Sequence, residues 1–462
     1  TALAEVTFDP AITQMTIGAS AFYKCSKLSA IALPAGTTAI GESAFGGCAL
    51  TTVTIPEGVE TIEKQAFHGC SLMTYVSFPT TLRTIGDSEV KAPKYFDSEE
   101  LSAIYAPYHY PATDNQFKGR NVVIIVTESI SAENSAYLCP EIYKDEQQKG
   151  YTPFLDSLMQ NGYAFRRMYA NGKRSIQALP SVWGSIPSLA TPFVLMPQSL
   201  GESRPLPMLL KERGYSTAFF CGSERGSMGF DAYAISAGFD RCLSKEDYEK
   251  AHGYNDFDGY WGIWDDKFLS FMGEQIDTLS EPFLVSIFTI SSHHPFVLPE
   301  QWKERLPKGK NQIQPCAAYL DASIEQFFAQ NCNKSWFNNT IFVFVSDHVS
   351  CDYYADKTAV SPGDFHILGA MYTPNGELRG QNFEPVSQID IMPTLLGLLE
   401  YDEPYFAYGR DTRQASEEPI TIVFDNGVYK AFSAEYLYIF TNDAIEQVYA
   451  ISDITRSNNL IA

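Results

Sequence analysis

Three side chains that could do chemistry follow directly after apolar runs. Glu128 comes two residues after the run at 122–126, and Asp347 and His348 follow the run at 341–345. Unbroken apolar runs of this length are typical of strands buried on both faces of a parallel sheet. Open α/β sheets bind ligands at the carboxyl ends of such strands. The sequence therefore predicts that these three side chains meet at one edge of one sheet.

Two carboxylates and one imidazole form a ligand set that suits Mn²⁺, Mg²⁺ or Zn²⁺. A hydroxyl bound to the same ion would have a lowered pKa and could act as a nucleophile. The alternative for Asp347 and His348 is a hydrogen-bonded turn at the end of a strand. The recurrence of an acid, Glu128, at an equivalent strand end favours the metal site.

Ser175 is the candidate hydroxyl. It follows the turn signal Asn171-Gly172, and helical spacing begins after it, so it is predicted to start a helix. Free N–H groups at a helix N-terminus favour an anion or an alkoxide. The alternative is that Ser175 only caps the helix. Lys173 and Arg174 beside it favour a functional site, since they could hold a phosphoryl oxygen.

A third apolar run, Phe283–Ile290, precedes two histidines, His293 and His294. One of them is expected to face the crevice, where it could hold a phosphate oxygen or protonate a leaving alcohol. Asp265 lies in an acidic and aromatic stretch at 256–268. That stretch is either a wall over the substrate, with Asp265 orienting a ligand, or a packed loop and helix start.

The elements that must position these groups alternate between buried strands and amphipathic helices from residue 121 to 414. This alternation predicts an α/β fold with a doubly wound, mostly parallel sheet. Residues 415–462 are strand-rich and alternating, with a turn signal at Asp425-Asn426-Gly427. They are predicted to form a small antiparallel C-terminal subdomain.

The N-terminal residues form a repeat. Ile17, Ile40, Ile62 and Ile85 recur with a period of 22 or 23 residues, and Ala-Phe, Cys, Leu and Pro keep the same phase. This period predicts a leucine-rich-repeat solenoid over residues 1–90, followed by a linker at 91–120. The phase resembles the BspA-like repeats of bacterial surface proteins. The solenoid either extends the next domain or binds a surface ligand.

Composition excludes some classes of protein. A formal charge of −22 and a pI near 4.7 argue against nucleic-acid binding, which requires a basic face. No apolar run approaches the ~18–20 residues of a membrane span, and no secretion signal is recognisable. The nine cysteines show no metal-ligand spacing. Those at 25, 48 and 70 share one repeat phase and are expected to be buried.

Several motifs together resemble the lipoteichoic acid synthase-like branch of the alkaline phosphatase/sulfatase superfamily, over residues 95–414. They are NVVIIVTES, TPFLDSL, YANGKRSIQALPS, SHHPF, VSDH and QIDIMPTLL. The resemblance implies one divalent metal ion, usually Mn²⁺, and a location outside the cytoplasm. It also implies transfer of a phosphoglycerol or similar phosphoalcohol group from a lipid donor through a covalent phospho-serine or phospho-threonine. The substrate would be a phospholipid head group or a cell-envelope glycan or polymer.

By the same resemblance, Glu128, Asp347 and His348 are metal ligands, Ser175 is both nucleophile and ligand, and His293 contacts the substrate phosphate. Residues 228–231 read Met-Gly-Phe-Asp where lipoteichoic acid synthases carry Trp-Asn-Arg-Asn, so donor and acceptor stay open. The sulfatase signature is also absent, because Gln and Leu stand at positions 177 and 179 in place of Pro and Arg. Sulfate-ester hydrolysis through formylglycine is therefore not expected.

Two alternatives remain at this stage. The first is a surface adhesion or glycan-binding protein that uses the repeats and carries a weak or inactive enzyme domain. The second is a two-metal phosphatase, for which Asp265, Asp266 and His366 are the candidates for a further ligand set.

Overall fold

The computed structural model describes residues 3–9, 12–70, 72–73, 75–77, 79, 81–82, 84–86, 105, 107–112, 116–144, 150–189, 191–196, 203–416, 418–441 and 444–461. The chain divides into two compact units, residues 1–106 and 107–462. This division falls inside the stretch predicted as a linker. Within that stretch, Ser98 followed by Glu99 and Glu100 predicts a short helix at 98–105. All of these residues except 105 lie outside the described part of the chain.

Six short strands occur among the described residues of the N-terminal unit. They are β1 (Met15–Ile17), β2 (Thr37–Ile40), β3 (Thr52–Thr54), β4 (Thr61–Ile62), β5 (Tyr75–Ser77) and β6 (Thr84–Ile85). β1, β2, β4 and β6 form one parallel sheet, and β3 pairs with β5 in parallel. Successive repeats therefore stack on one another, as a solenoid requires.

In the interior of the solenoid, side chains of the same type stack from one repeat to the next. Phe45 stacks on Phe22 and on Phe67, with ring centroids 5.2 and 5.3 Å apart. The thiol of Cys48 donates to the carbonyl of Phe22, and that of Cys70 to the carbonyl of Phe45. The repeated cysteines are buried, and the thiols of Cys48 and Cys70 each satisfy a backbone acceptor of the preceding repeat.

The larger unit has fifteen strands and eight α-helices in its described part. The strands are β7 (Tyr108–His109), β8 (Asn121–Thr127), β9 (Tyr163–Tyr169), β10 (Ser216–Cys221), β11 (Arg241–Leu243), β12 (Phe283–Phe288), β13 (Thr340–Ser346), β14 (His366–Ile367), β15 (Gly369–Tyr372), β16 (Gly380–Ser387), β17 (Tyr405–Phe406), β18 (Thr421–Asp425), β19 (Val428–Phe432), β20 (Tyr436–Phe440) and β21 (Ile445–Ala450). The helices are α1 (Pro153–Asn161), α2 (Ser175–Gly184), α3 (Leu206–Glu212), α4 (Phe230–Ser236), α5 (Lys245–His252), α6 (Asp265–Ile276), α7 (Ile313–Asn331) and α8 (Ile391–Leu398).

A nine-stranded sheet organises this unit, in the order β11-β10-β12-β8-β13-β15-β9-β14, with β16 also paired to β9. The five strands from β11 to β13 are mutually parallel, and β15 is antiparallel to β13. The fold predicted from the sequence is confirmed: the sheet is mixed and mostly parallel.

Both faces of this sheet are covered, which explains the unbroken apolar runs. On one face Val122, Ile124 and Val126 of β8 join a core with α2, α3, α4 and α8. On the other face Val123 and Ile125 join a core with α1, α5, α6 and α7. Every residue of β8 and β13 is buried. Side chains that contact a substrate from solvent must therefore lie beyond the ends of these strands.

One boundary predicted from the sequence is wrong. The alternation of strands and helices in the sequence predicts a late helix at 386–399, but Val386 and Ser387 belong to β16, which pairs with β9. Local hydrogen bonds set the later start of the helix. The carboxylate of Asp390 accepts the N–H of Ser387 in a capping box, and α8 begins only at Ile391.

The C-terminal residues form an antiparallel sheet, β18-β19-β20-β21, as predicted. Asn426 and Gly427 connect β18 to β19 with positive φ values of 51° and 87°, which an Asn-Gly turn supplies at low cost. The inner face packs Phe432 against Tyr169 of β9 and Phe365. Within the described residues, no helix is both long enough and apolar enough to cross a bilayer.

Candidate active site and metal centre

The register of β8 and β13 brings two acids together. These parallel strands pair residue by residue from Asn121 with Thr340 to Thr127 with Ser346. They therefore end level with each other, and the next residue of each is Glu128 and Asp347. The backbone N–H of Asp347 still donates to the carbonyl of Thr127, at 3.1 Å, so the ladder holds both acids at the same edge of the sheet.

Ser175 reaches this edge from a different strand. β9 runs parallel to β13, because both are antiparallel to β15. The loop that follows β9 therefore leaves from the edge that carries Glu128 and Asp347. α2 begins at Ser175, as predicted.

The four predicted side chains converge. Ser175 Oγ lies 3.1 Å from Glu128 Oε2 and 3.2 Å from His348 Nε2. His348 Nε2 lies 3.2 Å from Asp347 Oδ2 and 3.7 Å from Glu128 Oε1. One ligand atom from each of Glu128, Asp347 and His348 lies within 4.8 Å of the others. This spacing fits the coordination of a single cation.

The two acids of the cluster are buried, and one of their oxygens has no hydrogen-bond partner among the described residues. Glu128 is 0% and Asp347 is 1% exposed. Burial, together with the neighbouring carboxylate of Asp347, raises the pKa of Glu128 well above its ordinary value. Asp347 Oδ1 accepts the N–H groups of Ser129 and His348, but its Oδ2 receives no hydrogen bond from the described residues. Two buried acids with an orphaned oxygen are the donor set that a divalent cation would complete.

His348 is oriented by its own backbone neighbour. Its Nδ1–H donates to the carbonyl of Val349 at 2.8 Å, which fixes the tautomer and leaves the Nε2 lone pair facing the cluster. This is the arrangement expected for a metal-binding histidine.

Sequence reasoning missed Gln388, which ties the halves of the site together. Its Nε2 donates to the carbonyls of Ser346 and Asp347, both at 2.7 Å, and its Oε1 accepts the N–H of Asn171 at 2.9 Å. Gln388 is fully buried. It belongs to the QIDIMPTLL motif, but a buried amide that binds backbone groups leaves no spacing signal of its own.

Lys173 and Arg174, predicted as a pair, have different surroundings. Lys173 Nζ binds Asp364 at 2.8 Å and Asp425 at 3.1 Å. Burial acts to lower its pKa, but these two carboxylates raise it overall. Arg174 is exposed, and no partner for its guanidinium occurs in the described part of the chain. Of the two side chains, Arg174 is therefore the one without a carboxylate partner in the described part of the chain.

A cavity of about 370 Å³ opens over the cluster. Glu128, His348, Lys173 and His293 line it. The imidazole of His293 is exposed and lies 4.5 Å from the Trp261 ring, with its Nδ1 2.6 Å from the carbonyl of His294. His293 therefore faces the space where a substrate would lie. His294 is also exposed and lines the same cavity, so the prediction that one of the two histidines faces the crevice and the other the protein is wrong.

Asp265 lies elsewhere. It is buried, and its two oxygens accept the N–H groups of Ile290 and Ser291, both at 3.0 Å. Burial raises its pKa to about 7. Asp265 does not line the cavity. It fastens the segment that leads to His293, so the structure gives it a positioning contact.

The other candidates for a second metal site are also engaged. Asp266 accepts a hydrogen bond from the hydroxyl of Tyr319, and His366 contacts the carbonyl of Arg166. Burial lowers the pKa of His366 to about 4. Among the described residues, one acid–histidine group with metal-binding spacing occurs.

The chain matches the models of two known families. The sulfatase family matches residues 120–401, and the BspA type leucine rich repeat region matches residues 1–104 in six copies. The chain belongs to the sulfatase family, preceded by BspA-type repeats, and the resemblance predicted from the sequence is confirmed.

Its relatives include the lipoteichoic acid synthase-like protein YvgJ and lipoteichoic acid synthase 1 of Bacillus subtilis. They are 22% and 24% identical over 76% and 72% of this chain. Phosphoglycerol transferase I of Citrobacter koseri is 28% identical over 32% of the chain and 20% of its own length. The chain spans 59% and 55% of the two Bacillus proteins, so it matches only part of each.

Two solved structures share the fold. A protein of the alkaline phosphatase superfamily from Vibrio parahaemolyticus superposes with a TM-score of 0.63 at 25% identity, covering 74% of this chain and 81% of its own. The lipoteichoic acid synthase LtaP from Listeria monocytogenes gives 0.61 at 19% identity, covering 74% and 92%.

Proposed function

We propose that this chain is an extracytoplasmic, metal-dependent phosphotransferase or phosphodiesterase that acts on phosphoalcohol esters. The ester is of the phosphoglycerol or phosphoethanolamine type, and the reaction passes through a phospho-serine at Ser175. The observation that carries the proposal is the position of Ser175 Oγ, 3.1 Å from Glu128 and 3.2 Å from His348 beneath an open cavity. The names of the relatives support the phosphoglycerol class.

The proposed ligands of the ion are Glu128, Ser175, Asp347 and His348. The orphaned Oδ2 of Asp347 and the raised pKa of Glu128 support a cation at this place. Mixed oxygen and nitrogen ligands suit Mn²⁺, which the family resemblance favours, and also Zn²⁺ or Mg²⁺. When bound, the ion would lower the pKa of the serine hydroxyl and offset the charge of the substrate phosphate.

In the first step Ser175 Oγ loses its proton to solvent and attacks the phosphorus. The bond from phosphorus to the leaving alcohol breaks, and that alcohol takes a proton from His293. The N–H groups at the start of α2 and the guanidinium of Arg174 stabilise the non-bridging oxygens. In the second step an alcohol or water attacks the phosphorus of the phospho-serine and gives its proton to His293. The bond from phosphorus to Ser175 Oγ breaks, and Oγ regains a proton from solvent.

Ser175→Ala tests the nucleophile. We expect turnover of a phosphodiester to fall by at least ~10³-fold, because the covalent route is lost, while the thermal midpoint changes little. Mass spectrometry of the wild-type protein after exposure to phosphatidylglycerol should find the phosphoalcohol adduct on the peptide that contains Ser175. Ser181→Ala is the matched control, since Ser181 lies in the same helix and binds only the backbone carbonyls of Gln177 and Ile186. Full activity of Ser175→Ala would contradict the assignment.

The two alternative functions, an adhesion protein and a two-metal phosphatase, require different features of the structure. An adhesion protein with an inactive enzyme domain need not keep four distant side chains within bonding distance, and here they are kept. A two-metal phosphatase needs a second ligand set, and its candidates bind other groups. A metal assay that finds one ion per chain supports the proposal, two ions would favour the phosphatase, and none would favour the binding protein. A ligand for the repeats remains a separate proposal.

A further inference from the structure

Five polar side chains beside the catalytic cavity form a closed network, called the polar network below. It joins the nucleophile loop, residues 171–174 before Ser175, to the segment before β14 and to the β18–β19 hairpin. Its members are Lys173, Ser361, Asp364, Asp425 and Lys430. Lys173 and Asp364 also line the catalytic cavity. The proposed reaction steps use none of the five directly.

Hydrogen bonds and ion pairs close the polar network. Lys173 Nζ lies 2.8 Å from Asp364 Oδ2 and 3.1 Å from Asp425 Oδ2. Asp425 Oδ2 also binds Lys430 Nζ, at 2.6 Å. Lys430 Nζ donates to Ser361 Oγ at 3.0 Å, and Ser361 Oγ donates to Asp364 Oδ1 at 2.7 Å. Each member therefore has two partners within the network.

The buried aromatic ring of Phe365 lies against both ammonium groups. Lys173 Nζ is 4.6 Å and Lys430 Nζ is 5.6 Å from the centroid of this ring, within the range of cation–π contacts. The carbonyl of Phe365 accepts the N–H of Ala170 at 2.9 Å, directly before the nucleophile loop. The polar network therefore packs on a residue that is itself bound to the start of this loop.

The charges of the polar network balance, since two ammonium groups face two carboxylates. The side chains of Asp364, Asp425 and Lys430 are each at most 15% exposed. Burial acts to raise the pKa of Asp425, but Lys430 and Lys173 lower it overall, so this carboxylate stays charged. Removing one partner would leave the other charges poorly compensated in a largely buried place. Such a network holds its members in one geometry and offers little net charge to an anion.

The nucleophile loop needs such support. α2 begins at Ser175, and the N-cap residue Arg174 makes no side-chain capping hydrogen bond. Gln388 binds the start of the loop, and Gln177 Oε1 accepts the N–H of Lys173 at 3.0 Å. The ammonium group of Lys173 adds a third attachment, two residues before the proposed nucleophile.

We propose that Asp425 and Lys430 are positioning residues that hold Lys173, and with it the nucleophile loop, so that Ser175 Oγ faces the phosphorus in line. The β18–β19 hairpin is then part of the catalytic unit, although it acts only through Lys173. This inference rests on the proposed function. Rates of in-line attack are sensitive to such support, because a misplacement of about 1 Å can cost ~10²-fold.

A double-mutant cycle tests the connection between Asp425 and Lys173. Asp425→Asn keeps the shape of the side chain and removes its charge, and Lys173→Met removes the ammonium group. Each change should lower kcat for a phosphodiester about tenfold and change KM by less than about twofold, because the loop shifts while the substrate contacts stay. The double variant should show no further loss, since both changes break the same contact.

Hydrogen exchange gives a readout that does not need turnover. In Asp425→Asn the backbone amides of residues 171–175 should exchange faster, while those of β8 keep the wild-type rate. Glu446→Gln is the matched control, because Glu446 is an exposed acid of β21 in the same sheet and lies outside the polar network. This control should leave both exchange and kcat unchanged.

Three outcomes would overturn the inference. They are wild-type kcat in both single variants, a further tenfold loss when Asp425→Asn is added to Lys173→Met, and unchanged exchange of the loop in Asp425→Asn. The first of these would leave the proposed function standing. If the wild-type protein turned over no phosphodiester, the proposed function would fail, and the exchange experiment would still decide whether the hairpin holds the loop.

Discussion

The solenoid and the nine-stranded sheet both stack parallel strands, but they use sequence differently. In the solenoid each side chain meets its own equivalent 22 or 23 residues away, as Phe22, Phe45 and Phe67 do. In the sheet β8 lies between β12 and β13, which come more than 150 residues later. The first arrangement repeats one contact, and the second joins distant segments.

This difference decides where chemistry can arise. A repeat brings like residues together, so its interior contains a ladder of phenylalanines and thiols. Strands from distant segments end level with one another and bring unlike residues together, here an acid from β8, an acid and an imidazole from β13 and a hydroxyl from the loop after β9. The four predictions below test this contrast, beginning with the largest effect.

Asp347→Asn should have the largest effect. The change removes one charge from the proposed ligand set, and we expect turnover to fall by ~10² to 10³-fold, in the range seen for electrostatic groups of active sites. A chelator should likewise abolish wild-type activity and lower the thermal midpoint, and Mn²⁺ should restore both. In Asp347→Asn the chelator should hardly move the midpoint. An equal shift in both proteins would show that the ion is bound elsewhere.

Phe45→Ala should affect stability and spare chemistry. Phe45 is fully buried between two stacked rings, and its removal should cost the N-terminal unit about 3–5 kcal/mol. Calorimetry should show one transition moving to lower temperature, while turnover of a small diester stays at the wild-type level. Tyr23→Ala, at an exposed aromatic of the same repeats, should change stability by less than about 0.5 kcal/mol. Loss of turnover in Phe45→Ala would show that the two regions are coupled.

The sequence predicted the fold and the four converging side chains because both depend on patterns that can be counted. Period and alternation identify the solenoid and the buried strands, and the acids stand next to strand ends. The pairing of Lys173 with Asp364 and Asp425 could not be predicted, since it joins residues up to 252 positions apart through side-chain geometry. The inward hydrogen bonds of Asp265 are of the same kind, and only the described structure distinguishes them from a substrate contact.

Arg174→Met and Lys173→Met should separate two neighbouring cations. Because Arg174 is free, its loss should raise KM about tenfold, as for a charge-assisted hydrogen bond to phosphate. Lys173 is held by two carboxylates, so Lys173→Met should lower the thermal midpoint and change KM less. Steady-state kinetics and melting curves on both variants decide this. The reverse pattern would mean that Lys173 leaves its carboxylates when substrate binds.

The last prediction concerns the pH dependence of stability. Burial raises the pKa of Asp265 to about 7, so the folded protein keeps a proton that the unfolded chain has lost above its ordinary value near 4. The contribution of this group to the free energy of unfolding is therefore highest at low pH and falls as the pH rises from about 4 to about 7. Melting curves across this window should show a flatter dependence for Asp265→Asn than for wild type. Parallel curves would contradict the assignment.

The site depends on Gln388, a residue outside the set of four reactive side chains. All four precede residue 349. The amide that binds both the nucleophile loop and the ligand pair lies forty residues later in the sequence, directly after β16, the strand that pairs with β9. A fragment truncated before β16 would contain every reactive group and still lack this clamp. During synthesis, the centre therefore can assemble fully only after the late strand has emerged.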